Sequence, residues 1–463
     1  MAEILWTSAD IAAATGGRLV GGPFEATGVS IDSRAVDAGD LFVALTGERD
    51  GHAFVPGALA AGAAGALASK AVEGPHVLVP DTLKALEAMG VAARDRSRAV
   101  RAAVTGSVGK TSVTQAIAAG LAGAGRWHSS VKSYNNHIGV PLTLARMPWA
   151  TERAVFEIGM NHEGEIAPLS RMVRPEVAVV TTVGPVHIEN FPDGEEGVAR
   201  AKAEIFDGIE PGGVAVLNAD NRWFELLSLR ARAAGARVVS FGSGEGCDAR
   251  LLDFSAAHGQ ASVQAMVHGA AVSYPLLQTG LHWGLNSLCA LLALEAMNVD
   301  RATALEALGA FAPLAGRGAE TTVRIPGGAF TLIDESYNAN PISMAAALKT
   351  LGARQGRGRR IVALTDMLEL GPDGPAFHAA LAGPIEAANV DLVFCAGPMM
   401  KSLWDALPPT RRGGYAEAAA DLAPRVASAA EPGDLVMVKG SNGSRASVIA
   451  AALGALDHRG ETA

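Results

Sequence analysis

The sequence predicts an α/β protein of three domains, and three observations carry that expectation. The chain has 463 residues, against roughly 150 for a typical domain. Short apolar strands alternate with helical patterns through its centre and again through its last third, the mark of parallel sheets. Two composition breaks punctuate it: the charged cluster Arg94-Asp95-Arg96-Ser97-Arg98 and the Pro/Gly turn Ala312-Pro313-Leu314-Ala315-Gly316-Arg317-Gly318. They divide the chain into residues 1–98, 99–314 and 315–463.

Taken in order, the first segment begins Met1-Ala2-Glu3-Ile4, without the basic n-region of a signal peptide. Its most apolar stretch, Ala58 to Ala68, is short and made largely of Ala and Gly, so no membrane insertion is expected. In the central segment the candidate strands are Arg101–Val104, Ala154–Ile158, Val177–Thr182, Val214–Leu217 and Val238–Phe241, followed by a long helical stretch from Leu285 to Phe311. The last segment repeats the pattern with strands Phe330–Ile333, Ile361–Leu364, Leu392–Cys395 and Leu435–Val438. Ligands of such sheets gather at the carboxyl ends of the strands. A cleft between the two sheets is therefore the expected site.

Composition narrows the function. Nearly half the residues are apolar, ample for more than one core. Net charge is -9 with no long basic run, so nucleic acid is not expected as a partner, although local arginines and backbone amides could hold a small anion. Cys247, Cys289 and Cys395 are scattered, with neither metal spacing nor a disulfide framework. A soluble cytoplasmic protein is the expectation.

The most informative stretch begins where Ala102-Ala103-Val104 runs into Thr105-Gly106-Ser107-Val108-Gly109-Lys110-Thr111-Ser112, with Val113 to Ala118 reading as helix. Glycine lets the backbone turn tightly and point several N–H groups at one anion, where the helix dipole also favours negative charge. Strand, glycine turn and helix in that order make this a phosphate-binding loop for ATP or a close relative. Lys110 would reach the β- and γ-phosphates, and the Thr111 hydroxyl would hold Mg2+. The usual G-x-x-x-x-G-K-[ST] would need glycine at Val104, so the form here is G-x-x-G-K-T-S.

Polar residues at the other strand ends add to this. Glu157 lies on an apolar strand, where a buried carboxylate is costly unless paired or bound to a cation. His187 follows the next strand. Beside Thr111, Glu157 and His187 would make an oxygen-rich magnesium site with one imidazole. Asp334, Asp366 and Lys439 end strands of the last segment, a place equally natural for loop residues and helix caps.

The chain resembles the Mur ligases, ATP-dependent amide-forming enzymes of bacterial cell-wall precursor synthesis, over nearly its whole length. The resemblance runs through Asp32-Ser33-Arg34, Gly39-Asp40-Leu41-Phe42-Val43-Ala44-Leu45 and Asp50-Gly51-His52-Ala53-Phe54 to the phosphate loop. It continues through Tyr134-Asn135-Asn136-His137, Glu157-Ile158-Gly159-Met160, His187 and Ala201-Lys202-Ala203-Glu204. It ends in Asn286, Gly316-Arg317, Asp334 to Pro341, Met367-Leu368-Glu369-Leu370-Gly371 and Lys439-Gly440-Ser441.

The resemblance implies a small mixed α/β N-terminal domain, a central P-loop ATPase domain with a parallel sheet, and a C-terminal Rossmann-like α/β domain. It implies ATP and Mg2+ as cofactors. Gly106, Ser107, Val108, Gly109, Lys110, Thr111 and Ser112 would hold the phosphates, Asn286 and Asp334 the adenosine, and Arg317 a phosphate. Thr111 and Glu157 would hold the ATP magnesium, and His187 would help hold a second ion. Lys202 matches a lysine carbamylated in the family, so Lys110, Glu157, His187 and Lys202 form the catalytic set. Ser33 and Arg34 are expected to contact the UDP part of the substrate, and Asn135 and Asn136 the muramoyl-peptide side. Tyr337-Asn338-Ala339-Asn340-Pro341 favours the branch that adds D-alanyl-D-alanine to UDP-N-acetylmuramoyl-tripeptide, and a monomer is expected.

Two rivals are weaker on sequence. A folylpolyglutamate synthase shares the ATPase core but does not account for the segment ahead of the phosphate loop. A GTPase switch would need an N-K-x-D motif, and no Asn-Lys pair occurs.

Overall fold

The central strands Val100–Thr105, Arg153–Glu157, Val177–Val180, Val214–Asn218 and Arg237–Gly242 are apolar at consecutive positions and buried almost throughout. A parallel strand with helices on both faces must be so. Along Val100–Thr105 the side chains sort alternately, Ala102 and Val104 into one core and Ala103 into the core on the opposite face. The computed structural model describes residues 3–131, 133–257, 259–354 and 358–457.

These strands belong to a nine-stranded sheet. Its order is 270–276, 260–267, 249–257, 237–242, 214–218, 177–180, 100–105, 153–157 and 127–129. The first three form antiparallel hairpins on an otherwise parallel sheet, an extension the strand count from sequence left out. Gln260–Val267 alternates buried and less buried positions, the pattern of a sheet covered on one face. The helical stretch read as Leu285 to Phe311 is two helices, Trp283–Ala296 and Arg301–Ala310. Asn298 breaks the run with left-handed backbone (φ 59°), and Asp300 caps the second helix through Ala302 N at 3.0 Å.

The C-terminal sheet has the order 319–325, 328–335, 435–439, 360–365, 392–396 and 412–416, parallel except for its first strand. The four strands expected from sequence are present, flanked by Ala319–Ile325 and Arg412–Ala416. In the N-terminal part, strands 18–20, 76–78, 65–68, 40–43 and 28–30 form a mixed sheet.

The charged cluster near residue 95 ends the helix Thr82–Arg96, which packs on Gly139–Ala145 of the central part. Arg96 lies between the rings of Trp6 and Trp149, at 4.1 and 4.4 Å, and donates to Leu5 O at 2.9 Å. Among the described residues no helix is long and apolar enough to cross a membrane.

Candidate active site

The phosphate loop leaves Val100–Thr105 and enters the helix Lys110–Ala122 through Gly109, whose φ of 85° suits glycine. Gly106 (φ 151°) is more constrained, since a Cβ there would stand 1.9 Å from Thr181 Oγ1. Thr181 in turn donates to Val108 O at 2.6 Å. Ser107 is tied to the next strand's loop, donating to Gly184 O at 3.0 Å and accepting from Gly184 N at 2.9 Å. The loop is thus held open by neighbours before any anion arrives.

Lys110 Nζ donates to Gly106 O at 2.8 Å, and burial lowers its pKa while the carboxylate of Glu157 opposes that shift. Glu157 is 1% exposed; its Oε1 accepts from Asn135 Nδ2 at 2.7 Å, and its Oε2 is buried without a partner. Thr111 Oγ1 lies 3.3 Å from Ser133 Oγ, which lies 2.8 Å from the Tyr337 hydroxyl. Lys202 is 2% exposed, and its pKa falls well below the usual lysine value, first through burial and then through Lys110. His187 Nδ1 is 2.7 Å from Glu369 Oε2, and its pKa is lowered chiefly by burial, with Lys110 and Lys202 adding to the effect. The structure therefore gathers Lys110, Glu157, Thr111, Lys202 and His187 into one locality.

Three cavities surround them. A cleft of about 430 Å³ is lined by the phosphate loop, Glu157, Asn286, Arg317, Glu335, Tyr337 and Lys439. A smaller one of about 180 Å³ shares Ser107 and Lys110 with it and is closed by His187, Glu369 and Ser441. A third, about 550 Å³, lies between Lys84 and Glu87 of the helix Thr82–Arg96 and the loops carrying Asn135, Asn136 and Glu165. Asn135 lines both this cavity and the large cleft.

The remaining expected residues are distributed unevenly. Val108, Ser112 and Asn286 line the large cleft, and a Cβ on Gly109 would stand 3.4 Å from Asn286 Oδ1. Arg317 stacks over the Tyr337 ring at 4.0 Å. Asp334 accepts from Ser336 N at 3.0 Å, and its neighbour Glu335 is the one that lines the cleft. Asn136 caps the turn into the helix Gly139–Ala145 through Ile138 N and Gly139 N at 3.1 and 2.9 Å. Arg34 is exposed and bound to Asp32 at 2.8 Å, and neither Ser33 nor Arg34 lines any of the three cavities.

Sequence reasoning gave no role to Ser133, His282, the Glu335–Lys439 pair at 3.1 Å or Glu369. Lys439 and Glu335 could have been found as charged residues at adjacent strand ends; Ser133 and His282 carry no such signal. Among the described residues no cluster of three His, Cys, Asp or Glu side chains forms. A magnesium ion that keeps waters and takes phosphate oxygens needs only one or two carboxylates, and the unpartnered Glu157 Oε2 beside Thr111 fits that need.

Residues 25–104 match the Mur ligase family catalytic domain, residues 104–294 the Mur ligase middle domain, and residues 321–442 the glutamate ligase domain of Mur ligases. The chain is 32% identical over 452 residues to the UDP-N-acetylmuramoyl-tripeptide–D-alanyl-D-alanine ligase of Bacillus subtilis, covering 95% of this chain and 96% of that one. It is 35% identical over 399 residues to the Escherichia coli enzyme of the same name, covering 82% and 83%. A crystal structure of MurF from Acinetobacter baumannii superposes with a TM-score of 0.86 at 26% identity, over 97% of this chain and 99% of that one. The folylpolyglutamate synthase of Mycobacterium tuberculosis, with ADP and AMPPCP, shares the fold with a TM-score of 0.60 at 19% identity, over 81% and 95%.

Proposed function

From the premise that this chain belongs to the Mur ligase family, ATP-dependent amide-forming enzymes of peptidoglycan synthesis, we propose that it joins D-alanyl-D-alanine to UDP-N-acetylmuramoyl-tripeptide in the cytoplasm. What most supports this reading is that the cavities meet around Lys110 and Asn135, giving one place each for nucleotide, carboxylate donor and amine acceptor. In this reading residues 1–98, around Ser33 and Arg34, carry the UDP part, residues 99–314 the ATP, and residues 315–463 close the site on a monomeric enzyme.

A carboxylate oxygen of the tripeptide attacks the γ-phosphorus of ATP, and ADP leaves with the bond's electron pair. The acyl phosphate so formed is attacked by the dipeptide amine, which loses a proton as phosphate departs and the amide forms. Both partners of the first step are anionic, so charge repulsion is the main barrier. Lys110 and the amides of the loop Gly106–Ser112 are fixed before reaction and oppose that repulsion at little reorganisation cost. Arg317 and Asn286 orient the nucleotide, and Asn135, which donates to Glu157 and lines two cavities, lies on the muramoyl-peptide side.

Thr111 and Glu157 would hold Mg2+, with His187 and Lys202 toward a second ion; the ion would supply charge neutralisation for the phosphates. Burial keeps the Lys202 amine neutral enough to add to carbon dioxide. Its nitrogen pair forms the new bond to carbon, one proton is lost, and a carbamate anion replaces the neutral amine.

Product mass after incubation with Mg-ATP, UDP-N-acetylmuramoyl-tripeptide and separate amines tests the proposal. UDP-N-acetylmuramoyl-pentapeptide with D-alanyl-D-alanine alone is the expected result. An adduct with D-glutamate, meso-diaminopimelate or L-lysine instead would reassign the acceptor.

A further inference from the structure

The helix Ile166–Val173 is capped from a distance. The free N–H groups at a helix start are ordinarily taken by a Ser, Thr, Asp or Asn just before it. Glu165 stands in that place and makes no cap; its carboxylate accepts from Asn161 N at 2.8 Å. The donors go instead to the buried carboxylate of Glu204. Its Oε1 accepts from Gly164 N at 2.6 Å, and its Oε2 accepts from Ile166 N and Ala167 N at 3.1 and 3.0 Å. The grip continues along the next turn of chain. Ser170 donates to Ile205 O, and a Cβ on Gly208 would stand 2.1 Å from Ser170 C, so the turn Glu204–Gly208 lies directly against the helix.

What this carboxylate joins is the wall of one cavity and the edge of two others. Asn161, Gly164, Glu165, Pro168, Leu169 and Met172, all from the capped loop and helix, line the cavity of about 550 Å³. Glu204 comes two residues after Lys202, which ends the helix Glu195–Ala203 and whose buried amine feels the charge of Lys110. Lys110 lines both of the other cavities.

We propose that Glu204 is a positioning residue for the carboxylate donor: it locks the wall formed by residues 161–172 to the element carrying Lys202, so that a donor seated in the large cavity keeps its reacting carboxylate in register with Lys202. This rests on the ligase reading above and deepens it. A carboxylate that takes three N–H groups forms charge-assisted bonds, stronger than those of a neutral cap. It also uses up the amides that would make the helix start an anion site, so this wall holds the donor by shape and not by its phosphates.

Steady-state kinetics of the full-length enzyme test this, with Glu204→Gln keeping the side chain's size. The variant retains one acceptor oxygen and sets an NH2 group against the N–H groups that the other oxygen served. The expected result is a rise of about tenfold in KM for UDP-N-acetylmuramoyl-tripeptide. KM for ATP and for D-alanyl-D-alanine should stay within twofold, which a general loss of structure would not allow. A tripeptide KM within twofold of wild type, or all three constants rising together, would overturn the assignment. Hydrogen exchange of the wild-type protein provides a second reading that needs no variant to fold. UDP-N-acetylmuramoyl-tripeptide alone should slow exchange at Gly164, Ile166 and Ala167 together with the segment Lys202–Phe206. Protection of one of these segments without the other, or of neither, would overturn the coupling. Wild-type protein that makes no product from D-alanyl-D-alanine would refute the ligase reading itself, a result visible before any variant is compared.

Discussion

Gly106 and Lys202 show how single residues set this site. At Gly106 a methyl group has no room beside Thr181 Oγ1, so Gly106→Ala must distort the loop that aims the amides. Nucleotide affinity by calorimetry is expected to fall at least tenfold, with far-UV circular dichroism unchanged. For Lys202, labelled bicarbonate should give a carbamate carbon resonance that disappears in Lys202→Met, together with at least a hundredfold loss of turnover. Burial lowers the pKa of this amine, so more of the reactive neutral form is present than on an exposed lysine, and it is depleted as pH falls; the carbamate resonance should weaken in the same direction. Lys110, Thr111 and Glu157 were legible in sequence because each belongs to a contiguous strand–loop pattern. Ser133, His282 and Glu369 were not, because what matters about them is a neighbour from a distant segment.

Between elements, two side chains act as fasteners. Arg96 joins the end of Thr82–Arg96 to Trp6, Leu5 and Trp149, and burial lowers its pKa to about 10. Arg96→Ala removes two ring contacts and its backbone hydrogen bonds, so urea denaturation should show a loss of about 1–3 kcal/mol. His128, on the strand Trp127–Ser129, contacts Thr143 O at 2.7 Å, and burial holds its pKa down to about 4. The folded state thus prefers neutral imidazole, while the unfolded chain takes up a proton near pH 6.5. This contribution to stability is complete above pH 6.5 and is lost as pH falls toward 4. His128→Gln should flatten the decline of Tm over that interval relative to wild type. The parallel strands were readable as apolar runs ending in polar residues. The antiparallel strands 249–276 were passed over because they alternate on a half-solvated face and lack such runs.

The whole molecule places the C-terminal sheet against the central one through Ser133–Tyr337 at 2.8 Å and His187–Glu369 at 2.7 Å. A Cβ on Gly184 would stand 1.8 Å from Ile342 Cδ1, so the two parts meet closely there. Small-angle scattering should show compaction when ATP and the UDP-substrate bind together, since closure excludes water from an acyl phosphate. An unchanged radius of gyration would refute closure, and Gly184→Phe should keep the liganded protein expanded with a lower kcat. The sequence by itself determined the α/β class, the strands that carry the site and the anion-binding loop, because periodicity and glycine turns are local and act over a few residues. Tertiary structure alone decided that Asn135 meets Glu157, that Glu335 pairs with Lys439, and that His187 meets Glu369 in the wall of a small cavity. Those contacts join segments far apart in the chain, and only the packing of one sheet on another brings their side chains within bonding distance.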